Sequence, residues 1–280
     1  MRLASFHHAG RERYGVVLDD DRVAPCVGEW PDLAAAIAAG GLDRLQLEES
    51  LPLAEVTLRP VVPNPGKVFC VGHNYEEHRL ETGRERVGHP SIFTRFADTL
   101  VAHGAPIVRP RASEQLDYEG EVAIVIGRGG RAIAEADAMS HVAGFTIAND
   151  ASVRDWQKHT AQFTPGKNFP GTGALGPWLV TPDEVGSLDA MELTTLVNGR
   201  IMQQATLAQL IFPLATVIAY ISAFTPLSPG DVIMTGTPGG VGARRDPPLW
   251  LAAGDRIEIS VSRLGTLTNT VVDEGDPVGA

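Results

Sequence analysis

Fifty of the 280 residues are glycine (30) or proline (20), and no other feature constrains the fold so strongly. Proline removes an amide donor and fixes φ, while glycine weakens the interior of helices and strands. Elements between such residues are short and turns are frequent, so the chain is expected to be β-rich rather than a helical bundle. The hydrophobic fraction of 44% is that of an ordinary globular protein, enough for a sizeable core.

The pattern along the chain agrees with this. RYGVVLDDDRVAPC alternates like a hairpin around Asp19–Asp21, and WPDLAAAIAAGGLDRL reads as an Ala-rich helix stopped by Gly40-Gly41. The run Arg59-Pro60-Val61-Val62-Pro63-Asn64-Pro65-Gly66 is incompatible with a helix or a central strand. It places a boundary between a small N-terminal α/β domain (residues 1–63) and a second domain (64–280). Strands are expected at 67–72, 106–109, 121–127, 142–150, 177–181, 193–197, 231–236 and 255–261, and helices at about 75–82, 134–141, 150–160 and 206–223. Leu227-Ser-Pro-Gly-Asp-Val-Ile and Leu251-Ala-Ala-Gly-Asp-Arg-Ile echo each other as a Gly-Asp turn before an apolar strand. Strands dominate and do not alternate regularly with helices, which argues α+β with a mixed or antiparallel sheet.

Lys and Arg number 23 against 34 Asp and Glu, a formal charge of −11. That excess disfavours nucleic acid or an anionic membrane as partner, since each demands a basic face. Cys26 and Cys70 form no CxxC pair, so a disulfide framework and a thiolate metal site are excluded and a reducing compartment suits the chain. The N-terminal stretch has no apolar h-region, so no signal peptide is expected. Residues 201–230 carry no charged side chain, but Gln, Pro, Thr and Ser interrupt them. A buried core helix ending in a loop is the better reading than a membrane span, and a soluble, cytoplasmic protein is expected.

The chemistry-bearing residues begin at Asp117-Tyr-Glu119-Gly-Glu121. In a strand, Glu119 and Glu121 share one face while Val122, Ile124 and Ile126 face a core. Two adjacent same-face carboxylates are costly to bury unless a cation bridges them, and a divalent ion with oxygen ligands does so. A solvated edge strand is the alternative. Asp150, where an apolar run stops, is placed either as a third ligand or as a helix N-cap. Arg154 and Gln157 follow, and Arg suits a planar carboxylate or enolate. Asn74 with Glu77 fits a capping box and Gly83 a helix stop, which puts His78 and Glu81 on one face of a short helix. The pair reads as an oriented general base or as two solvated side chains. The polar stretch after Gly83 has the composition of a lid. Lys167 is either a snorkelling surface residue or an oxyanion partner. The Gly-rich loop 235–242 lacks the spacing of a phosphate or dinucleotide motif, so nucleotide binding is rejected.

In this order, VGHNYEEH, DYEGEVAIVIG, ANDASVRDWQ, GKNF, LSPGDVIMTGTPGGVG and the closing LAAGD strand resemble the fumarylacetoacetate hydrolase family, in its acylpyruvate hydrolase-like branch, from about residue 64 to the C-terminus. The resemblance implies a mixed β-sandwich roll, a homodimer and a small-molecule keto-acid substrate. It also implies Mg²⁺ or Mn²⁺ on Glu119, Glu121 and Asp150, a His78–Glu81 dyad on a lid helix, and Lys167 as a further catalytic residue. Arg154, Gln157 and Thr237 would bind substrate. One departure is Arg95-Phe96, where many members carry Lys-Pro.

The activity so implied is metal-assisted hydrolysis of a C–C bond in a 1,3-diketo acid of acylpyruvate or fumarylpyruvate type, within catabolism of aromatic or sugar-acid compounds. Water activated by His78 would attack the distal carbonyl, and Lys167 and Gln157 would hold the oxyanion. Oxaloacetate-type decarboxylation, hydroxymuconate-type keto–enol isomerisation and ureidoglycolate-type lysis use the same metal-enolate chemistry. A non-catalytic keto-acid binding domain is the alternative of another class.

Overall fold

A computed structural model describes residues 1–19 and 21–276. Asp20, the centre of the expected acidic hairpin turn, lies outside the described residues. The flanking strands Arg11–Asp19 and Arg22–Val27 pair antiparallel as the alternation predicts. Asp32 caps the helix Leu33–Ala38, accepting the Ala35 N–H at 2.7 Å. The proline-rich residues 59–66 form no helix or strand.

The strand Gly120–Ile126 is buried at every position. It is central rather than an edge, with Val142–Asn149 on one side and Val232–Met234 on the other, both antiparallel. Val122, Ile124 and Ile126 pack into one core and Ala123 and Val125 into a second. The solvated-edge alternative for its acids is therefore excluded. The sheet holding it is 13-stranded and mixed: Val232–Met234 also runs parallel to Val68–Gly72, which pairs antiparallel with Ser91–Arg95. Its other half continues through Gly173–Val180 to Arg2–His8, which meets it at Arg2–Val180 and Leu3–Leu179.

A five-stranded sheet, Ile107–Arg109, Gly265–Asp273, Arg256–Val261, Glu192–Val197 and Arg200–Thr206, packs against the first. The approach is close at Gly120, where a Cβ would collide with the Thr195 side chain. The result is the strand-dominated α+β architecture read from the sequence, built as two facing mixed sheets.

The helices are shorter than the local pattern suggests. The segment expected as a helix over 206–223 splits at Pro213, which cannot continue an upstream helix. Arg200–Thr206 is a strand, Leu207–Gln209 a 3₁₀ turn with a Thr206–Gln209 capping box, and the helix proper is Leu214–Phe224. Among the described residues no helix is long and apolar enough to cross a membrane. The helix expected over 150–160 shrinks to one turn, Arg154–Gln157, because Ser152-Val153 pairs instead with Leu116-Asp117. Residues Glu135–His141 are a 3₁₀ helix.

The two echoed turns are the same device. Ser228 and Ala252 donate their N–H groups to Asp231 and Asp255 side chains, both at 2.8 Å. The Asp N–H returns to the carbonyl of the same residue at 3.0 Å in each turn. The intervening Gly230 and Gly254 have φ of 84° and 91°, a region glycine enters without strain.

Burial on both faces of the central strand sets the cost of a truncation there. Ile124→Ala should lower unfolding free energy by about 2–5 kcal/mol, read from the denaturant midpoint at unchanged m. A loss below 1 kcal/mol would contradict unrelieved core packing.

Candidate active site

Three carboxylates converge where the central strand and its neighbour end. The Glu119 N–H donates to Asn149 Oδ1 at 3.0 Å, and the Asp150 N–H to the Glu119 carbonyl at 2.9 Å. This cross-strand clamp, with the two-residue strand period, puts Glu119, Glu121 and Asp150 together. One ligand oxygen from each lies within 4.8 Å of the others, and all three residues are buried. Asp150 does not cap the following helix; Val153 occupies that position.

Three buried cations face them. Lys167 Nζ donates to Glu119 Oε2 (2.7 Å), Asp150 Oδ2 (2.6 Å) and the Asp150 carbonyl (2.9 Å). It is not a snorkelling surface side chain, and its three donors are engaged by acid-bearing residues. Arg154 pairs through Nη1 with Glu119 Oε1 and through Nε with Asp117 Oδ2, both at 2.7 Å. Arg154 thus serves Asp117 and Glu119 rather than sharing a helix face with Asp150. Arg95, seen in sequence only as a departure, donates through Nη1 to Asp150 Oδ1 and the Ala151 carbonyl, both at 2.8 Å. Its remaining donors reach Thr99 and Thr172. Asp117 also accepts the Gly242 and Ala243 N–H groups, so it positions Arg154 and stays outside the triad.

Four acids (Asp117, Glu119, Glu121, Asp150) against three cations (Arg95, Arg154, Lys167) leave −4 + 3 = −1 in a buried space. That charge falls on Glu121. Burial, then Asp150 and Glu119, push its carboxyl well above the usual range. Its one hydrogen bond among the described residues is from the Gly236 N–H, at 2.7 Å. Glu119 goes the other way: burial would raise it, but Lys167 and Arg154 hold it below its ordinary value. Burial opposes the charge on Lys167 also, and Asp150 and Glu119 override it, raising its pKa.

The short helix is Glu76–Glu81, with a left-handed Gly83 just beyond it as expected. Asn74 does not cap it. Its side chain donates to the Thr235 and Phe212 carbonyls and accepts the Phe212 N–H, tying the helix start to two remote segments. His78 Nδ1 lies 3.1 Å from Glu81 Oε2, and Glu81 Oε1 accepts the Gly240 N–H at 3.1 Å. The solvated-pair alternative fails, since His78 is only 5% exposed. With Nδ1 turned to Glu81, Nε2 is the nitrogen left to exchange a proton. His73 stacks on His78 at 5.3 Å between ring centroids, and burial, reinforced by His78 and Arg84, lowers its pKa to about 4. Its backbone is left-handed (φ 55°), and no local motif marks it.

The centre of this arrangement lines one cavity of about 350 Å³. The triad, Lys167, Arg154, Gln157, His78, His73 and Thr237 are on its wall. Arg154 Nη2 is buried there without a partner, which marks a place for an acceptor on a ligand. Gln157 Oε1 accepts from Arg154 Nη1 at 3.0 Å, which leaves its amide N–H₂ as donor. Thr237 reaches the wall, but its hydroxyl donates to the Gly120 carbonyl and accepts from Gln203. It fastens the Gly-rich loop to the acid strand. Three convergent hard oxygen donors with one uncompensated negative charge fit Mg²⁺ or Mn²⁺ and do not suit a thiophilic ion.

The family profile described as fumarylacetoacetate (FAA) hydrolase, C-terminal, matches residues 67–272. A mitochondrial oxaloacetate tautomerase of Bos taurus is 42% identical over 224 residues, 79% of this chain and 71% of that protein. The solved 5-carboxymethyl-2-hydroxymuconate delta-isomerase of Mycobacterium smegmatis has a TM-score of 0.83 at 30% identity, covering 98% of this chain and 100% of the other. A maleylpyruvate hydrolase of a Sphingobium species, solved with manganese(II) and pyruvate, has a TM-score of 0.79 at 29% identity, covering 98% and 99%.

Two outcomes follow from the charge balance. Because burial and the neighbouring acids favour the protonated form of Glu121, Mg²⁺ uptake should be coupled to proton release, and affinity should rise with pH. Calorimetric titrations in buffers of different ionisation enthalpy will show this; identical heats would refute it. Arg95→Ala leaves Asp150 Oδ1 unpaired in the interior and should cost about 3–5 kcal/mol of stability, whereas a neutral effect on the melting transition would mean Arg95 does not hold the site.

Proposed function

Because this chain belongs to the fumarylacetoacetate hydrolase family, we propose that it is a divalent-metal-dependent tautomerase interconverting the keto and enol forms of an oxaloacetate-type 2-keto acid. The observation that carries the reading is that His78, paired behind the wall with Glu81, lines the same cavity as the acid triad. A carbon acid needs a base on one side and charge stabilisation of the enolate on the other. The oxaloacetate tautomerase activity named for the bovine relative supports this over hydrolysis.

Mg²⁺ or Mn²⁺ held by Glu119, Glu121 and Asp150 would act as a Lewis acid on the keto oxygen and the adjacent carboxylate. Arg154 Nη2, otherwise orphaned, takes a carboxylate oxygen, and the Gln157 amide donates beside it. His78 Nε2 removes a proton from C3 as the C2–C3 double bond forms, and Glu81 stabilises the imidazolium through Nδ1. The same proton is then delivered to the enolate oxygen, so one C–H bond breaks, one O–H bond forms and no water is consumed. Lys167 keeps Glu119 and Asp150 apart from each other's charge throughout.

Hydrolysis of an acylpyruvate, the first expectation from the sequence, would use His78 on water instead. The manganese- and pyruvate-bound maleylpyruvate hydrolase favours this as the second reading. The two differ in products. Ultraviolet loss of enol-oxaloacetate without release of smaller acids supports the tautomerase, and pyruvate released from an acylpyruvate, with unaccelerated enol loss, supports the hydrolase. His78→Ala should slow ketonisation by about 10²-fold or more while Mg²⁺ binding, followed by calorimetry, persists. An undiminished rate would remove His78 from the mechanism.

A further inference from the structure

The wall of the cavity changes character from floor to rim. Its acids are Glu119, Glu121 and Asp150, all at the buried floor and faced by buried cations. Its rim carries Arg84, Lys158 and Arg244, all exposed. They come from three separate places: Arg84 beyond the helix Glu76–Glu81, Lys158 at the C-cap of the Arg154–Gln157 turn, and Arg244 in the 3₁₀ helix Gly242–Arg244. Among the described residues none has an acid within 4.0 Å, while Arg84 lies over the Phe163 ring, itself a wall residue, at 5.7 Å. In a chain with net charge −11, a rim of three cations and no acid is against composition.

We infer that this rim is a second anion site, formed by Arg84, Lys158 and Arg244, that takes the distal carboxylate of a 2-keto diacid. The inference rests on the tautomerase reading and adds to it the residues that select the far end of the substrate. The floor already accounts for the near end: a divalent ion on the triad and Arg154 Nη2 would hold the keto acid, and Lys167 and Arg95 are spent on carboxylates of the protein. A distal carboxylate has no other cation to meet. Oxaloacetate has nine non-hydrogen atoms, which at no more than a water's share each fill at most about 270 Å³. The cavity of about 350 Å³ therefore holds the whole diacid, distal end included. Exposed cations at a rim act chiefly through capture and selectivity, and their effect is screened by salt.

The test compares two isosteres that differ in distal charge, oxaloacetate and its 4-amide, 2-oxosuccinamate, as Mg²⁺-dependent proton–deuterium exchange at C3 followed by NMR. The readout is the ratio of KM for the amide to KM for the diacid. Wild type should favour the diacid, the more so at low salt. The triple variant Arg84→Gln, Lys158→Gln, Arg244→Gln should lower that ratio roughly tenfold. Catalysed exchange with a ratio that the triple variant leaves unchanged overturns the rim site and spares the tautomerase reading. No catalysed exchange with either acid overturns both.

Discussion

Everything at the catalytic end depends on a buried, hydrogen-bonded network of four acids and three cations. Taking such groups out of water costs several kcal/mol per ion, and the mutual attraction offsets this only where geometry is good. Here it is: the contacts of Lys167 and Arg154 with the acids lie at 2.6–2.7 Å. A network of this kind is a poor way to stabilise a fold, since apolar residues would fill the volume more cheaply. What it gives is placement. Arg95 and Lys167 grip opposite oxygens of Asp150, and Lys167 and Arg154 grip opposite oxygens of Glu119. Glu119 and Asp150 can then turn only slightly, and among the described residues Glu121 is the acid left without a cation of its own.

The Gly-rich loop connects this network to the base. Its Gly236 N–H reaches Glu121 and its Gly240 N–H reaches Glu81. One loop thereby ties the acid triad and the His78–Glu81 pair to a common backbone. That explains its composition without invoking nucleotide binding: Gly236, at φ 109°, lies against Asn74, where a Cβ would come within 2.6 Å of the Asn74 Cβ. Backbone amides used this way add donors at no cost in side-chain volume. The helix Glu76–Glu81 is fastened at both ends, by Asn74 to the loop's base and by Glu81 to its tip, so the His78–Glu81 pair is held in place.

What could be read from the sequence follows a physical division. Glu119, Glu121 and Asp150 were legible because charge interrupting apolar runs is costly and so calls for a partner. The dyad was legible because i and i+3 share a helix face. The echoed Gly-Asp turns were legible because their bonds are local. Arg95 had no legible role, since its partners Asp150 and Thr172 are remote in sequence. The spacing of Asn74 and Glu77 suits a cap, yet Thr235 and Phe212, distant along the chain, claim the Asn74 side chain instead. The apolar run over 206–223 favours one long helix, but Pro213 ends the upstream part and starts Leu214–Phe224. At Arg95 and Asn74 a contact between distant segments outweighs a local preference, whereas at Pro213 the cause is local.

The structural neighbours are named for an isomerase and a hydrolase, and the bovine relative for a tautomerase. Enolate stabilisation on one face and proton transfer on the other serve all three reactions. The floor of the cavity therefore cannot by itself choose among them, and the choice moves outward. Hydrolysis needs a water held against the substrate's far carbonyl, and tautomerisation needs His78 Nε2 to reach C3 with no water between. Which occurs depends on how far the substrate is drawn along the cavity, and the groups that act on its far end are those at the rim. With Arg84, Lys158 and Arg244 there and the acids confined to the floor, the field along the cavity aligns a diacid end to end. A ligand with a neutral tail lacks that alignment. On the proposed reading, the exposed cations of the rim select the substrate while the buried network holds the groups that react with it.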